Sequence, residues 1–174
     1  GGIYGVGAAI RDFVTDAVDL QRVSQATGAS VENLSTWVNA MNAAGERGEN
    51  FLGTVKNISS SLQDAFTGAG SAILPFFAEM DIALLDGNNN LRDTTEIIKD
   101  LAKVWEQYTP QKQQKIGEML GLDDSTIRFL QQGTEEVERL LEVQRQLGVV
   151  NAEQAKTSKE IQTNYYQRQQ IWSA

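Results

Sequence analysis

The chain has 174 residues, with 15 basic and 23 acidic side chains and a formal net charge of -8, and it is long enough for a domain with a sizeable core. It contains no cysteine and no histidine, which excludes disulfides, thiolate nucleophiles, Cys/His zinc sites and histidine general bases. Its hydrophobic fraction of 41% is typical of a globular protein, and its acidic balance disfavours binding to nucleic acid or anionic membranes. We therefore expect a folded protein without catalytic activity.

Neither a membrane span nor a signal peptide is predicted. The densest apolar stretch, Ala72–Leu85, is shorter than the ~20 residues that cross a bilayer. It also contains Pro75, Glu79 and Asp81, so we expect it to be buried core. The chain starts at Gly1 without the basic and apolar regions of a secretory signal, and we expect it to be a piece of a longer protein.

Three amphipathic helices are predicted in the first part of the chain, because apolar residues recur there at spacings of three and four. The first helix ends near Gly28, and the second begins at the N-cap Ser30 and stops at Ala44–Gly45. The third runs from about Glu49 to Thr67. The three apolar stripes are Ile3, Val6, Ile10, Phe13, Ala17 and Leu20; then Val31, Leu34, Trp37, Val38 and Met41; then Phe51, Val55, Ile58, Leu62 and Phe66.

A short helix, a polar turn and a further amphipathic helix are predicted in the middle of the chain. The short helix is predicted over Ser71–Met80, with Pro75 in its first turn, where a missing N–H costs little. The turn is Asp86–Asn90, whose residue types favour turns. The next helix is capped by Thr94 or Thr95, and its apolar face consists of Ile97, Ile98, Leu101, Ala102 and Trp105.

Three more helices are predicted before the chain becomes strongly polar. The first is capped by Thr109–Pro110 and closed by Gly121. The second lies within Asp123–Gln132, and the third opens at Thr134. Their inward-facing residues are expected to include Ile127, Leu130, Val137, Leu140, Leu141 and Leu147.

The last segment, Ala152–Trp172, is rich in Gln and Lys and is predicted to form a polar, exposed helix. It carries Ile161, Tyr165, Tyr166 and Trp172, which have too few apolar neighbours to be buried locally. We interpret these four residues as a protein interface, the alternative being a chain end exposed by truncation.

The predicted fold class is all-α, because no segment shows the alternating pattern of a strand. We expect a compact domain of about seven to eight helices that ends in a longer polar helix. The expected organisation is an N-terminal amphipathic helix over 1–28, a helical domain over 29–150, and a polar C-terminal helix over 151–174 that forms an interface or starts a rod.

One oxygen-rich turn bears on metal binding. Asp86, Asn88 and Asn90 are spaced like the first three ligands of a calcium loop. Leu91 and Ile97, however, occupy the positions where that loop needs Gly and Glu. The sequence therefore favours a solvated turn, and no metal or cofactor is predicted.

Paired carboxylates bear on catalysis. Asp123–Asp124 and Glu135–Glu136 lie in first helical turns after a Gly, where the helix dipole favours negative charge. Glu118 with Asp123 is the remaining candidate for glycoside hydrolysis, which needs two acids flanking one bond. Glu118 adjoins the apolar pair Met119–Leu120 with no sign of a cleft, so a structural role is favoured.

Short motifs built from Gly and helix-cap residues follow one another from about Ala26 to Ala155. They are Thr27–Trp37, Asn42–Gly45, Asp86–Asn88, Leu91–Thr94, Leu120–Asp123 and Phe129–Gly133. In order and spacing these motifs resemble the central region of the tail tape measure proteins of tailed bacteriophages and prophages.

This resemblance implies a structural virion protein that is made in the bacterial cytoplasm and lies in the lumen of the phage tail, where it sets tail length during assembly. It implies several copies, and contacts with tail tube, tail tip and assembly chaperone proteins. Neither stable nucleic-acid binding nor a transmembrane segment is expected in this piece. The resemblance supplies no catalytic residue and no cofactor.

Two alternatives of other classes remain open at the level of sequence. The same periodicities permit a helical interaction or adaptor module with no phage role, and a much longer parent reading frame beside tail genes would count against it. The second alternative is a peptidoglycan-degrading enzyme that uses two carboxylates, Glu118 and Asp123.

Overall fold

A computed structural model describes residues 18–68 and 72–148, and within them the chain is all-helical except for turns and one isolated β-bridge. The prediction of a compact all-α domain is confirmed. The described helices are α1 (18–27), α2 (Val31–Ala43), α3 (Asn50–Phe66), α4 (Leu74–Glu79), α5 (Thr94–Val104), α6 (Pro110–Leu120), α7 (Asp124–Leu130) and α8 (134–148), with a 3-10 turn at Trp105–Gln107.

Helix α3 lies at the centre of the domain, because it contacts α2, α5 and α7. Its predicted apolar face is fully buried from Phe51 to Leu62. Helix α1 adds Leu20 and Val23 to the same core, and α8 adds Val137. Burial of this continuous apolar surface is the main driving force for the helices to pack together.

Trp37 joins three helices through its ring. It stacks on Phe51 of α3, with ring centroids 4.9 Å apart and planes 7° from parallel. It also meets the ring of Phe129 of α7 edge-on, at 5.8 Å between centroids. Such aromatic pairs add to the stability gained from area burial alone, so Trp37 fixes the orientation of α2 against α3 and α7.

The predicted helix ends are largely confirmed. The Ser30 hydroxyl accepts a hydrogen bond from the Asn33 N–H at 3.0 Å, and the Thr109 hydroxyl accepts one from the Lys112 N–H at 3.3 Å. Gly121 closes α6 with φ of 85°, a left-handed conformation that glycine adopts without strain. Helix α4 has Pro75 in its first turn, as predicted, but is shorter than Ser71–Met80.

Three sequence-based expectations are corrected by the structure. The cap of α5 is Asp93 rather than Thr94 or Thr95, because the Asp93 carboxylate accepts a hydrogen bond from the Thr95 N–H. Val31 and Phe66, placed at the ends of buried stripes, are exposed because they lie at the first turn of α2 and the last turn of α3. Leu147, near the end of the described part of α8, is exposed as well.

The predictions for the two ends of the chain fall on residues outside the described ranges. The apolar positions of the first stripe from Ile3 to Ala17 precede the described part of α1, and Ala152–Trp172 follows α8. The predicted interface residues Ile161, Tyr165, Tyr166 and Trp172 lie in that second segment.

Gly117 allows close packing of α6 on α7. A Cβ atom at this position would lie 2.6 Å from Cδ1 of Ile127, which is fully buried. We expect Gly117→Ala to lower the free energy of unfolding by about 1–2 kcal/mol, because overpacking outweighs the gain in helix propensity.

A matched control for Gly117→Ala exists on α3. Gly53 is an exposed helical glycine, and a Cβ there would meet no atom within 4 Å. Gly53→Ala is expected to raise the free energy of unfolding by up to about 1 kcal/mol, so the two substitutions should have opposite signs in urea titrations followed by circular dichroism. A stabilising Gly117→Ala would contradict this account of the α6–α7 contact.

Candidate functional site

The polar residues of the sequence motifs lie mainly at helix junctions, and the first junction is built around Asp93. Its Oδ1 accepts hydrogen bonds from the Thr95 N–H at 2.9 Å and the Thr95 hydroxyl at 2.6 Å. Its Oδ2 accepts bonds from the Ser30 N–H at 2.9 Å and the Asn33 side-chain amide at 3.2 Å. One carboxylate thus ties the N-termini of α2 and α5 together, where both helix dipoles favour negative charge.

The second junction is built around Asp123, the N-cap of α7. Its Oδ1 accepts hydrogen bonds from the hydroxyls of Thr54, at 2.6 Å, and Thr126. Its Oδ2 accepts a bond from the Thr126 N–H at 3.2 Å, and its own N–H donates to the Thr54 hydroxyl at 3.0 Å. Both threonines are buried, so Asp123 satisfies polar groups inside the contact between α3 and α7.

A third junction was not predicted from the sequence. The Glu106 carboxylate accepts a hydrogen bond from the Thr134 N–H at 2.8 Å, and the Thr134 hydroxyl donates to the carbonyl of Ala102 at 2.9 Å. Glu106 therefore caps α8 from outside that helix. In the sequence, Gly133–Thr134 indicates that a helix begins there, but it does not indicate that Glu106 accepts the hydrogen bond from the Thr134 N–H.

The two carboxylates weighed as catalytic acids line one surface depression. Glu118 and Asp123 border it together with Glu49, and its volume is about 510 Å³. Asp123 uses both of its oxygens to hold Thr54 and Thr126, and Glu118 accepts a hydrogen bond from the amide of Gln114 at 3.3 Å. This arrangement gives Asp123 the geometry of a structural cap.

The turn weighed as a calcium loop is organised by hydrogen bonds of its own. Asp86 Oδ1 accepts bonds from the backbone N–H groups of Asn88, at 2.8 Å, and Asn90, at 3.0 Å. Asn89 adopts φ of 61°, which Asn tolerates better than most residues. Within the described ranges, no cluster of three or more acidic side chains has the arrangement of a metal site.

A groove of mixed charge is lined by residues of α2, α5 and α8. Its apolar lining includes Trp37 and Leu141, and its volume is about 400 Å³. The walls carry as many basic as acidic side chains: Lys99, Lys103 and Arg145 against Glu96, Glu138 and Glu142. Glu142 and Arg145 of α8 interact electrostatically with Lys99 and Glu96 of α5, so the charges of the lining largely balance each other.

An apolar depression lies at the C-terminal end of α3. It is bordered by Phe66 and Thr67 of that helix end and by Leu85, Asn89, Asn90 and Leu91 of the following turn region, and it is called the Phe66 depression below. Phe66 is 51% exposed, a large fraction for a phenylalanine side chain. Exposed apolar surface that forms a depression is typical of contact sites for other molecules.

Two ion pairs stabilise the exposed face of α8. Arg139 pairs with Glu136 and Arg145 with Glu142, each at 2.6 Å. Hydrogen bonds from the guanidinium groups hold the pKa values of both glutamates below their usual range. Because the folded-state pKa is lowered, this stabilisation is present above the pKa of an unfolded glutamate and is lost as the pH falls through the folded-state value.

We expect carbon-13 NMR titration of the side-chain carboxyl groups to give pKa values for Glu136 and Glu142 below that of a model peptide. Arg139→Gln should raise the pKa of Glu136 and leave that of Glu142 lowered, because the second pair does not involve Arg139. An unchanged pKa of Glu136 in this variant would show that the ion pair does not persist in solution.

No helix within residues 18–68 or 72–148 combines the length and apolar character needed to cross a membrane. Comparison of the chain with known protein families, with curated proteins and with solved structures finds no match.

Proposed function

We propose that the chain is a structural, non-catalytic segment of a phage tail tape measure protein, which contributes to tail-length determination and tail assembly. The observation that carries this proposal is that residues of the sequence motifs hold helices together. Ser30, Asp93 and Asp123 all cap helices and bond to partners far away in sequence. The motifs that carry the resemblance are thus determinants of the fold, which supports a structural role.

The acidic character of the chain supports a place in the lumen of the tail tube. A net charge of -8 repels the phosphate backbone, so DNA can pass without stable binding. The partners proposed on the same resemblance are tail tube, tail tip and assembly chaperone proteins, together with other copies of the chain.

The proposal is tested by altering the segment in the phage or prophage that encodes it. In-frame deletion of residues 29–150 is expected to shorten the tails seen by electron microscopy, and duplication of the same residues to lengthen them. Because the described helices within this range pack around one core, the change should be smaller than the ~180 Å that a continuous helix of that length would span. Tails of unchanged length in both strains would contradict a role in length determination.

Mass spectrometry of purified tails separates this proposal from the alternative of a helical adaptor without a phage role. Peptides from the chain should be present in intact tails. Their absence from tails, together with their presence in the host cytoplasm, would favour the adaptor.

Self-association is proposed to involve the segment with Ile161, Tyr165, Tyr166 and Trp172. Multi-angle light scattering of the full chain should then give a multimer, and a chain ended at Asn151 should give a monomer. A monomer in both cases would remove this segment as the interface between copies.

The non-catalytic assignment is tested with purified peptidoglycan. The full chain is expected to release no soluble fragments. Activity that is present in the wild-type chain and lost in a folded Glu118→Gln variant would instead support the carboxylate enzyme.

A further inference from the structure

The hairpin formed by residues 84–92 has free backbone groups on the outer edge at Leu85. The Arg92 N–H donates to the carbonyl of Leu84 at 2.9 Å, and the Asp86 N–H donates to that of Asn90 at 2.8 Å. These two bonds flank the antiparallel bridge between Leu85 and Leu91.

This register determines where the backbone groups of Leu85 point. Residues opposite each other between two such bonds form the pair that shares no hydrogen bond, so their own N–H and C=O groups point to the outer edges. Among the described residues, no hydrogen bond involves the N–H or C=O of Leu85. The outer edge therefore offers one donor and one acceptor on a single exposed residue.

The side chain of Leu85 connects this edge to the Phe66 depression. Opposite residues of an antiparallel pair lie on the same face, and the side chains of Leu85 and Leu91 both border the depression, beside Phe66. Its volume of about 380 Å³ is sufficient for a large apolar side chain.

We propose that this edge binds an extended peptide segment of a partner protein, which adds a strand beside Leu85 and places an apolar side chain in the Phe66 depression. The residue that bonds to the N–H and C=O of Leu85 lies on the same face as the Leu85 side chain, so it must be the apolar one. Its two neighbours point away and can be polar. The edge thus selects a segment in which apolar and polar residues alternate.

An extended peptide fits these groups better than the other occupants. The backbone N–H and C=O groups inside a helix are already bonded within that helix, so a docked helix would leave those of Leu85 without partners. A second copy could pair through its own Leu85, but one residue and a small depression fall short of the ~800 Å² per partner of a standard interface.

The proposal is independent of the assignment to phage tails and is tested by NMR on the full nitrogen-15-labelled chain. The probes are capped heptapeptides of sequence Lys-Thr-Val-Thr-Val-Thr-Lys and Lys-Thr-Phe-Thr-Phe-Thr-Lys. We expect saturable shifts of the amides of Phe66, Leu85 and Leu91, and slower hydrogen exchange of the Leu85 N–H. Absence of saturable shifts with both probes at about 10 mM would overturn the proposal, because even weak peptide binding is visible at that concentration.

Two controls make the test specific. In the valine peptide, methylation of both valine backbone nitrogens removes the N–H that would donate to the C=O of Leu85, and it should weaken binding by about tenfold. In the protein, Phe66→Ser removes apolar surface from the depression and should weaken binding by a similar factor. Met119→Ser removes an apolar side chain of similar exposure on α6 and should leave binding unchanged. Equal binding of the methylated peptide, or equal binding by the Phe66→Ser variant, would overturn the proposal.

Self-pairing is distinguished in the same spectra. Shifts of the Leu85 and Phe66 amides that depend on protein concentration, without any peptide, would assign the edge to a second copy of the chain and overturn the peptide proposal. The expected result is that the Leu85 and Phe66 amides do not shift with protein concentration and do shift with the alternating probes, whereas association through the C-terminal segment would shift other amides.

Discussion

Replacing Asp123 with alanine is expected to lower the free energy of unfolding by about 3–4 kcal/mol, because the substitution removes a helix cap and leaves buried hydroxyl groups without an acceptor. The hydroxyls of Thr54 and Thr126 both donate to this carboxylate, and both residues are at most 1% exposed. Urea denaturation followed by circular dichroism measures the effect. Asp123→Asn keeps one oxygen as an acceptor and should fall between alanine and the wild type.

Asp124 provides the matched control for Asp123. It is the next residue, carries the same carboxylate and lies in the first turn of α7, but it is exposed. Asp124→Ala should cost less than about 1 kcal/mol, since it removes only a favourable helix-dipole interaction and an exposed, long hydrogen bond from the Gln114 amide at 3.5 Å. Equal effects of the two alanine substitutions would show that the buried hydroxyls do not depend on Asp123.

A double-mutant cycle isolates the contact between α3 and α7. Thr54→Val and Asp123→Ala should be non-additive by about 1–2 kcal/mol, because each substitution removes the same hydrogen bonds. Additive effects would place the cost of Asp123→Ala entirely in the cap of α7.

The helices could be predicted because their signals are local. Apolar residues spaced by three and four marked the buried faces of α2, α3 and α5, and Ser30, Thr109 and Gly121 marked helix ends. Apolar periodicity did not predict burial correctly at the ends of helices. Phe66 continues the stripe of α3 by spacing, yet it lies in the last turn and is half exposed.

The junctions could not be predicted, because they depend on pairs of residues far apart in the sequence. Thr54 and Asp123 are 69 positions apart, and Ser30 and Asp93 are 63 apart. A local pattern shows that Asp, Ser and Thr suit helix caps, but not which distant donor a carboxylate will meet. The choice of Thr94 or Thr95 as the cap of α5 was wrong for a local reason, since the carboxylate of the preceding Asp93 accepts the bond from the Thr95 N–H. Only the second bond of Asp93, from the distant Ser30 N–H, was beyond local prediction.

The candidate binding surface also depends on contacts between segments that are distant in the sequence. The sequence drew attention to the turn Asp86–Asn90 through its oxygen ligands, and the structure shows that turn as the end of a hairpin. The features on which the peptide proposal rests, the register at Leu85 and the exposure of Phe66, appear only when residues from α3 and the hairpin are brought together. Neither residue has a distinctive local motif.

Asp93→Ala is expected to lower the free energy of unfolding by about 2–3 kcal/mol, because one substitution removes hydrogen bonds at the N-termini of both α2 and α5. Native-state hydrogen exchange locates the effect. The amides of Ser30 and Thr95 donate directly to the two oxygens of Asp93, so both should lose protection. Asp93→Asn offers only one acceptor oxygen and should protect one of these two amides but not both.

Asp64→Ala is the control for charge alone. Asp64 is exposed near the C-terminal end of α3, where a negative charge faces the unfavourable end of the helix dipole. Its removal should leave the free energy of unfolding unchanged or raise it by up to about 0.5 kcal/mol. If Asp93→Ala were equally mild and the Ser30 amide kept its protection, Asp93 would not tie α2 to α5. A loss confined to the Asp93 variant would instead show that one carboxylate stabilises two helix ends separated by 63 positions in the chain.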